Sequence, residues 1–106
     1  MSEKSFFEQV YDLVANIPAG KVMTYGQIGR VLNSPCSAKI VGFAMSAAPD
    51  KRQLPCHRVL NRFGAMAGGA VFGGEDKQRT KLKQEGVPFL KNGRVDLKKA
   101  LFNPEA

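Results

Sequence analysis

The chain has 106 residues, enough for one hydrophobic core and too few for two, and its apolar content is ordinary for a globular protein. Sixteen Lys and Arg against nine Asp and Glu leave a formal charge of +7, and no apolar run is long enough to span a bilayer or to form the core of a signal peptide. These bounds exclude a membrane protein and a secreted disulfide scaffold, and they lead us to expect a soluble, intracellular, basic domain filling residues 1–106.

Ser5-Phe6-Phe7-Glu8 fits a capping box, and Phe6, Phe7, Val10, Tyr11, Val14 and Ile17 recur at helical spacing until Pro18 and Gly20 stop the pattern. The pattern predicts a first helix that serves as core scaffold. Lys21-Val22-Met23 reads as a connector. Thr24-Tyr25-Gly26-Gln27 is a second cap and opens a short helix with Ile28, Val31 and Leu32 on one face, after which Asn33 and Ser34 make a turn. Pro35 suits the first turn of a third helix predicted to run to about Ala47, with Ile40, Val41, Ala44 and Met45 inward and Ser37, Lys39 and Phe43 off that face. A short helix, a tight turn and a second helix rich in small residues outline a helix-turn-helix. Ala38, Gly42 and Ala44 would let that second helix lie close against a surface.

A polar loop from Ala48 to Gln53 then delivers Leu54-Pro55-Cys56-His57-Arg58-Val59-Leu60. Proline fixes its own φ and holds the residue before it extended, so the thiol is predicted at a fixed bend outside any helix. Residues 61–74, with Gly64, Gly68, Gly69, Gly73 and Gly74, read as a flexible loop. Glu75 to Glu85 reads as a helix with Gly86 as its stop. Val87 to Leu90 and Arg94 to Asp96 flank Lys91-Asn92-Gly93 as a small hairpin, and Leu97 to Phe102 form a last helical turn or two. The fold class expected is mainly α, an α+β domain whose β part is minor.

Charge and chemistry concentrate in the middle of the chain. Between Leu13 and Gly74 stand seven basic residues (Lys21, Arg30, Lys39, Lys51, Arg52, Arg58, Arg62) and one acid, Asp50, a positive field suited to polyanions. The only histidine, His57, directly follows Cys56, one of two cysteines. Imidazole is the side chain best matched to taking a thiol proton near neutral pH, so the pair reads as an activated sulfur. Two Cys and one His cannot complete a tetrahedral set, so neither metal nor organic cofactor is expected, and Cys36 reads as a small, semi-buried residue. Glu85, at a helix C-terminus where the dipole disfavours an anion, calls for a specific partner such as His57.

Thr24-Tyr25-Gly26-Gln27, the Ser37 to Met45 helix, Pro55-Cys56-His57-Arg58-Val59 and Gln84-Glu85-Gly86 stand in this order over most of the chain. Together they resemble the DNA-binding and active-site domain of O6-alkylguanine-DNA alkyltransferases and of the smaller alkyltransferase-like proteins. The resemblance implies a winged-helix-like helix-turn-helix domain that binds the minor groove of duplex DNA as a monomer, with no membrane involved. It implies that Tyr25 turns out an alkylated guanine, that Lys39 stands where the family has an arginine filling the vacated space, and that Pro55 lines the lesion pocket. Cys56 would accept the alkyl group once, His57 would relay a proton and Glu85 would orient His57. Contacts to DNA are expected from Thr24, Gln27, Ser37, Ala38 and Gly42, and from Arg58 and Arg62 to phosphates.

Extrusion is a chemical requirement, because guanine O6 is out of reach of any side chain inside a stacked duplex. Three features lean toward a lesion-binding version that does not transfer and that hands the site to other repair proteins. Only the binding and active-site module is present; Ala48 stands where the transferases have a bracing asparagine; and the glycine-rich segment and the Gly93 to Leu97 tail are similar to the alkyltransferase-like group, whose members usually carry tryptophan at the Cys56 position. A plain transcriptional regulator using the helix-turn-helix is the remaining rival.

Overall fold

A computed structural model describes residues 5–33, 37–66 and 75–104. Helix α1 (Phe6–Ala15) is capped by Ser5, whose Oγ accepts the Glu8 amide at 3.2 Å. The reciprocal half of the expected box is altered: the Ser5 hydroxyl donates to the Glu8 carboxylate instead. Strand β1 (Met23–Thr24) leads directly into α2 (Tyr25–Val31), and α3 (Ser37–Ser46) follows. Asp50–Arg52 and Cys56–Arg58 form single 3-10 turns, β2 (Val59–Leu60) comes next, and α4 (Glu75–Gln84) and α5 (Leu97–Ala100) complete the order. The expected start of α3 at Pro35, the environment of Cys36 and the glycine-rich stretch 67–74 lie outside the described residues.

The stretch 21–23, expected as a connector, runs into a sheet: Val22 bridges to Leu101 and Met23 begins β1. β1 pairs in parallel with β2, Met23 opposite Val59 and Thr24 opposite Leu60. Two residues are too few for a hydrophobic alternation to be read. Yet the period-2 geometry of a strand decides the packing. Met23 and Val59 face a first apolar cluster with Val10, Val14, Ile17, Ile28, Val41 and Ala44. Val22 and Leu60 face a second, with Met66, Leu82, Val87, Val95 and Ala100. The sheet is the partition between the helical scaffold and the C-terminal half. The C-terminal segment joins it through Val22 N–H to Ala100 O at 2.9 Å and Phe102 N–H to Val22 O at 2.8 Å.

The helical half follows its sequence pattern. Val41, Ala44 and Met45 of α3 are buried and Ile40 partly so, while Lys39 and Phe43 face outward. The Tyr11 hydroxyl donates to Ala44 O at 2.8 Å, locking α1 onto α3. In the other half, α4 ends in a Schellman motif: Val87 N–H reaches Leu82 O at 3.1 Å and Gly86 N–H reaches Lys83 O at 3.0 Å. Gly86 has φ +84°, a conformation that costs glycine nothing. Val87 and Leu82 pack together as the motif's apolar contact. The expected hairpin is reduced to a single antiparallel bridge, Phe89 with Val95, closed by Leu90 N–H to Arg94 O at 2.7 Å.

Candidate active site at the Cys56 turn

Backbone chemistry sets the position of the thiol. Pro55 has φ −77° and ψ 62°, and Cys56 N–H donates to Leu54 O at 2.8 Å, an inverse γ-turn for which the proline ring supplies the φ. Arg58 N–H then reaches Pro55 O at 3.0 Å, and the chain closes one 3-10 turn over Cys56–Arg58. The expectation of a bend outside any helix is corrected accordingly: the γ-turn is the bend, and the cysteine opens a short helical turn immediately after it.

Two side chains of α4 and its end hold this turn. Gln78, fully buried, donates from Nε2 to His57 O at 3.1 Å and to Val59 O at 3.2 Å. Glu85 accepts from Arg58 through two oxygens, at 2.9 Å from Nε and 2.6 Å from Nη2, and its Oε2 lies 2.9 Å from His57 Nε2. Arg58 also donates to Ile17 O at 2.7 Å. The Arg58 guanidinium holds the Glu85 carboxyl down at about 2, against the upward push of partial burial, and the His57 contact adds to the lowering. A carboxylate can only accept, so Nε2 of a neutral His57 carries the hydrogen and Nδ1 is left as the acceptor. The backbone approaches closely on the far side: a Cβ on Gly20, whose φ is +89°, would stand 3.3 Å from Glu85 O.

The half-buried Cys56 packs on the first apolar cluster beside Tyr25, Ala48 and Leu54. Burial raises its pKa, opposed by its own backbone amide and by the charge of Lys81. Burial likewise raises Tyr25, and the nearby sulfur raises it further; Tyr11 responds in the same way. Among the described residues no hydrogen bond joins the Cys56 sulfur to the imidazole. The resting group is therefore a protonated thiol within electrostatic reach of two phenols, followed in the chain by the His57–Glu85 pair.

The structure brings Tyr25, Pro55, Cys56, His57 and Glu85 into one neighbourhood. Lys39 and Ala38 lie on the exposed face of α3, and Gly42 is partly exposed. Ser37 opens α3. Three of the residues expected at DNA have side-chain partners within the protein. Thr24 and Gln27 are buried in a full capping box, and Gln27 Nε2 donates to Phe102 O at 2.6 Å, so their side chains hold α2 and the C-terminal segment together. Arg58, expected on a phosphate, is turned inward onto Glu85 and Ile17 by a carboxylate that offers it bidentate pairing. Arg62 lies over Phe63, its Cζ 4.7 Å from the ring centroid. The sequence reading missed Gln78, whose place in a strongly charged helix hides its burial, and Tyr11, which it read as scaffold alone. The one available signal for Gln78 was its seven-residue separation from Glu85, which puts both on one face of a helix.

The model of the family described as 6-O-methylguanine DNA methyltransferase, DNA binding domain, matches residues 5–87. Alkyltransferase-like protein 1 of Schizosaccharomyces pombe is 40% identical over 87 residues, covering 82% of this chain and 81% of its own. The DNA base-flipping protein of Escherichia coli is 38% identical over 103 residues, covering 95% of this chain and 77% of its own. In structure, S. pombe Atl1 in complex with damaged DNA containing O6-carboxymethylguanine superposes with a TM-score of 0.78 at 35% identity, over 98% of this chain and all of the other (100%).

Proposed function

The chain belongs to the 6-O-methylguanine DNA methyltransferase family through its DNA-binding domain, and from that premise we propose that it binds duplex DNA containing O6-alkylguanine and swings the lesion out of the stack. The carrying observation is that Tyr25 and Cys56 interact and pack against one apolar cluster, which α2 and α3 help to build. In this reading α3 lies along the minor groove of the duplex with Ala38 and Lys39 outward, and the protein acts as a soluble intracellular monomer. The small side chains permit close approach, and Lys39 enters the space left by the base or pairs with a phosphate. Tyr25 stands at the α2 N-terminus, where it turns the nucleotide toward the sulfur.

Transfer is the second arm. The Cys56 proton passes to His57 Nδ1, a bond forms between Sγ and the alkyl carbon, the bond from that carbon to O6 breaks with its electron pair going to the guanine, and N1 takes a proton from solvent while the imidazolium returns its proton to solvent. Glu85, held anionic by Arg58, stabilises the imidazolium formed on the way. The raised pKa of Cys56 and its lack of a direct bond to His57 favour slow transfer or none, so binding that flags the lesion for other repair proteins is the primary activity. No step calls for a metal or cofactor.

Two measurements test the pair of readings. Gel-shift titration should give tighter binding to a duplex with O6-methylguanine than to the same duplex with guanine; equal binding, or a preference among undamaged sequences, overturns the proposal. Intact-protein mass spectrometry after incubation should show an added CH2 on Cys56 if transfer occurs, absent in Cys56→Ala. An unchanged mass with lesion-selective binding assigns the flagging role.

A further inference from the structure

We propose that the face carrying Phe63 and Leu90, apart from the Cys56 neighbourhood, is a docking site for an acidic segment of another protein that inserts one bulky apolar side chain. Phe63 and Leu90 are 54% and 46% exposed and lie together in one depression, so they form a patch and not two scattered apolar residues. With Val95 and Leu97 they floor a cavity of about 390 Å³, and Asp96 and Lys98 stand at its edge. That volume lies in the range of pockets that accept a compact apolar group. The walls are fixed before any partner arrives. Asn61 Oδ1 accepts the amides of Phe63 at 2.9 Å and Ala65 at 3.1 Å, and Val95 N–H reaches Gly64 O at 2.9 Å, tying the loop to the hairpin. A preorganised surface loses little freedom on binding.

Charge and ring geometry choose the occupant. The Arg62 and Arg94 guanidinium groups lie over the Phe63 ring, with Cζ at 4.7 and 5.6 Å from its centroid. Held flat by the ring, each still presents its N–H fork to a carboxylate. Lys91 and Lys98 are exposed nearby in sequence and leave Asp96 outnumbered four to one among Arg62, Arg94, Lys91, Lys98 and itself. A second copy of this chain, at +7 with the same cationic rim, is repelled. Nucleic acid fits poorly as well, because a phosphate backbone has no use for the apolar floor. An acidic peptide with one large apolar residue satisfies rim and floor together.

The test titrates the full chain into a fluorescent peptide of aspartates and glycines around one central phenylalanine. We expect saturable binding, weakened about tenfold or more by Phe63→Ala and by Arg94→Glu, and weakened likewise when the peptide's phenylalanine becomes alanine. Arg94→Glu should leave binding to O6-methylguanine duplex unchanged, which separates this site from the lesion site and reports that the variant is folded. Absent or non-saturable binding, indifference to either variant or to the peptide's phenylalanine, or displacement of the peptide by a single-stranded oligonucleotide at equal charge overturns the proposal. So does a Phe63-dependent dimer in sedimentation.

Discussion

The helical scaffold and the Cys56 turn are neighbours held by different forces. Around α1–α3 the fully buried contacts are apolar, with Val10, Val14, Ile28, Val41 and Ala44 wholly buried, and polar side chains enter at the caps, in the Tyr11 bond and at the surface, as in the Arg52–Asp12 pair. The Cys56–Arg58 turn has no fully buried side chain of its own and is suspended from Gln78, Glu85 and Ile17 O by hydrogen bonds. Apolar packing tolerates exchange among side chains of similar volume, whereas a hydrogen-bonded charge pair tolerates almost none. The scaffold therefore constrains volume and the turn constrains chemistry.

Substitutions on each side sharpen this contrast. Ile28→Ala should cost about 3 kcal/mol in urea unfolding, the transfer term plus the cavity left in the first cluster. Arg58→Met should cost about 2 kcal/mol at pH 7, because it leaves the Glu85 carboxylate partly buried without its main partner. A loss below about half a kcal/mol would place Glu85 among ordinary surface anions. Gln78→Leu, nearly equal in volume, should cost about 1 kcal/mol through two carbonyls left unpaired.

Acid separates the regions without mutation. Glu85 has its folded pKa lowered to about 2 from 4.5, so its contribution is complete above about pH 4.5 and is lost as pH falls through about 2. The stability gap between wild type and Arg58→Met should close over that interval, while the gap to Ile28→Ala stays constant. A parallel closure of both would mean that the regions do not differ as described. The smallest effect concerns the thiol: its rate of carbamidomethylation by iodoacetamide should rise with pH with a midpoint above the ordinary thiol value, and Lys81→Gln should move that midpoint further up.

The same contrast explains what could be read from the chain. Periodicity exposes apolar faces, so α1, α2, α4 and the inward side of α3 were legible, as were the Thr24 cap and the His57–Glu85 contact, for which Glu85's uncomfortable place at a helix end was the clue. Arg58 was not, because a cation in a basic field looks like a phosphate ligand until a bidentate carboxylate is found facing it. Gln78 was hidden by its charged helix neighbours. β1 and β2 were invisible, since two residues carry no period and parallel pairing joins positions far apart in the chain.

That brief ladder has a consequence for how the molecule tolerates change. Thr24 immediately precedes Tyr25, and Val59 immediately follows the cysteine turn, so the register Met23 to Val59 fixes the spacing of phenol and sulfur from outside the intervening stretch. Everything from α3 to the Gln53 bend lies between these two ends and is fastened to the scaffold by contacts of its own, Val41, Ala44 and Met45 in the first cluster and the Tyr11 bond to Ala44 O. Exchanges on its outward face leave the alignment of Tyr25 and Cys56 intact, whereas a slip of one rung would misalign both residues at once.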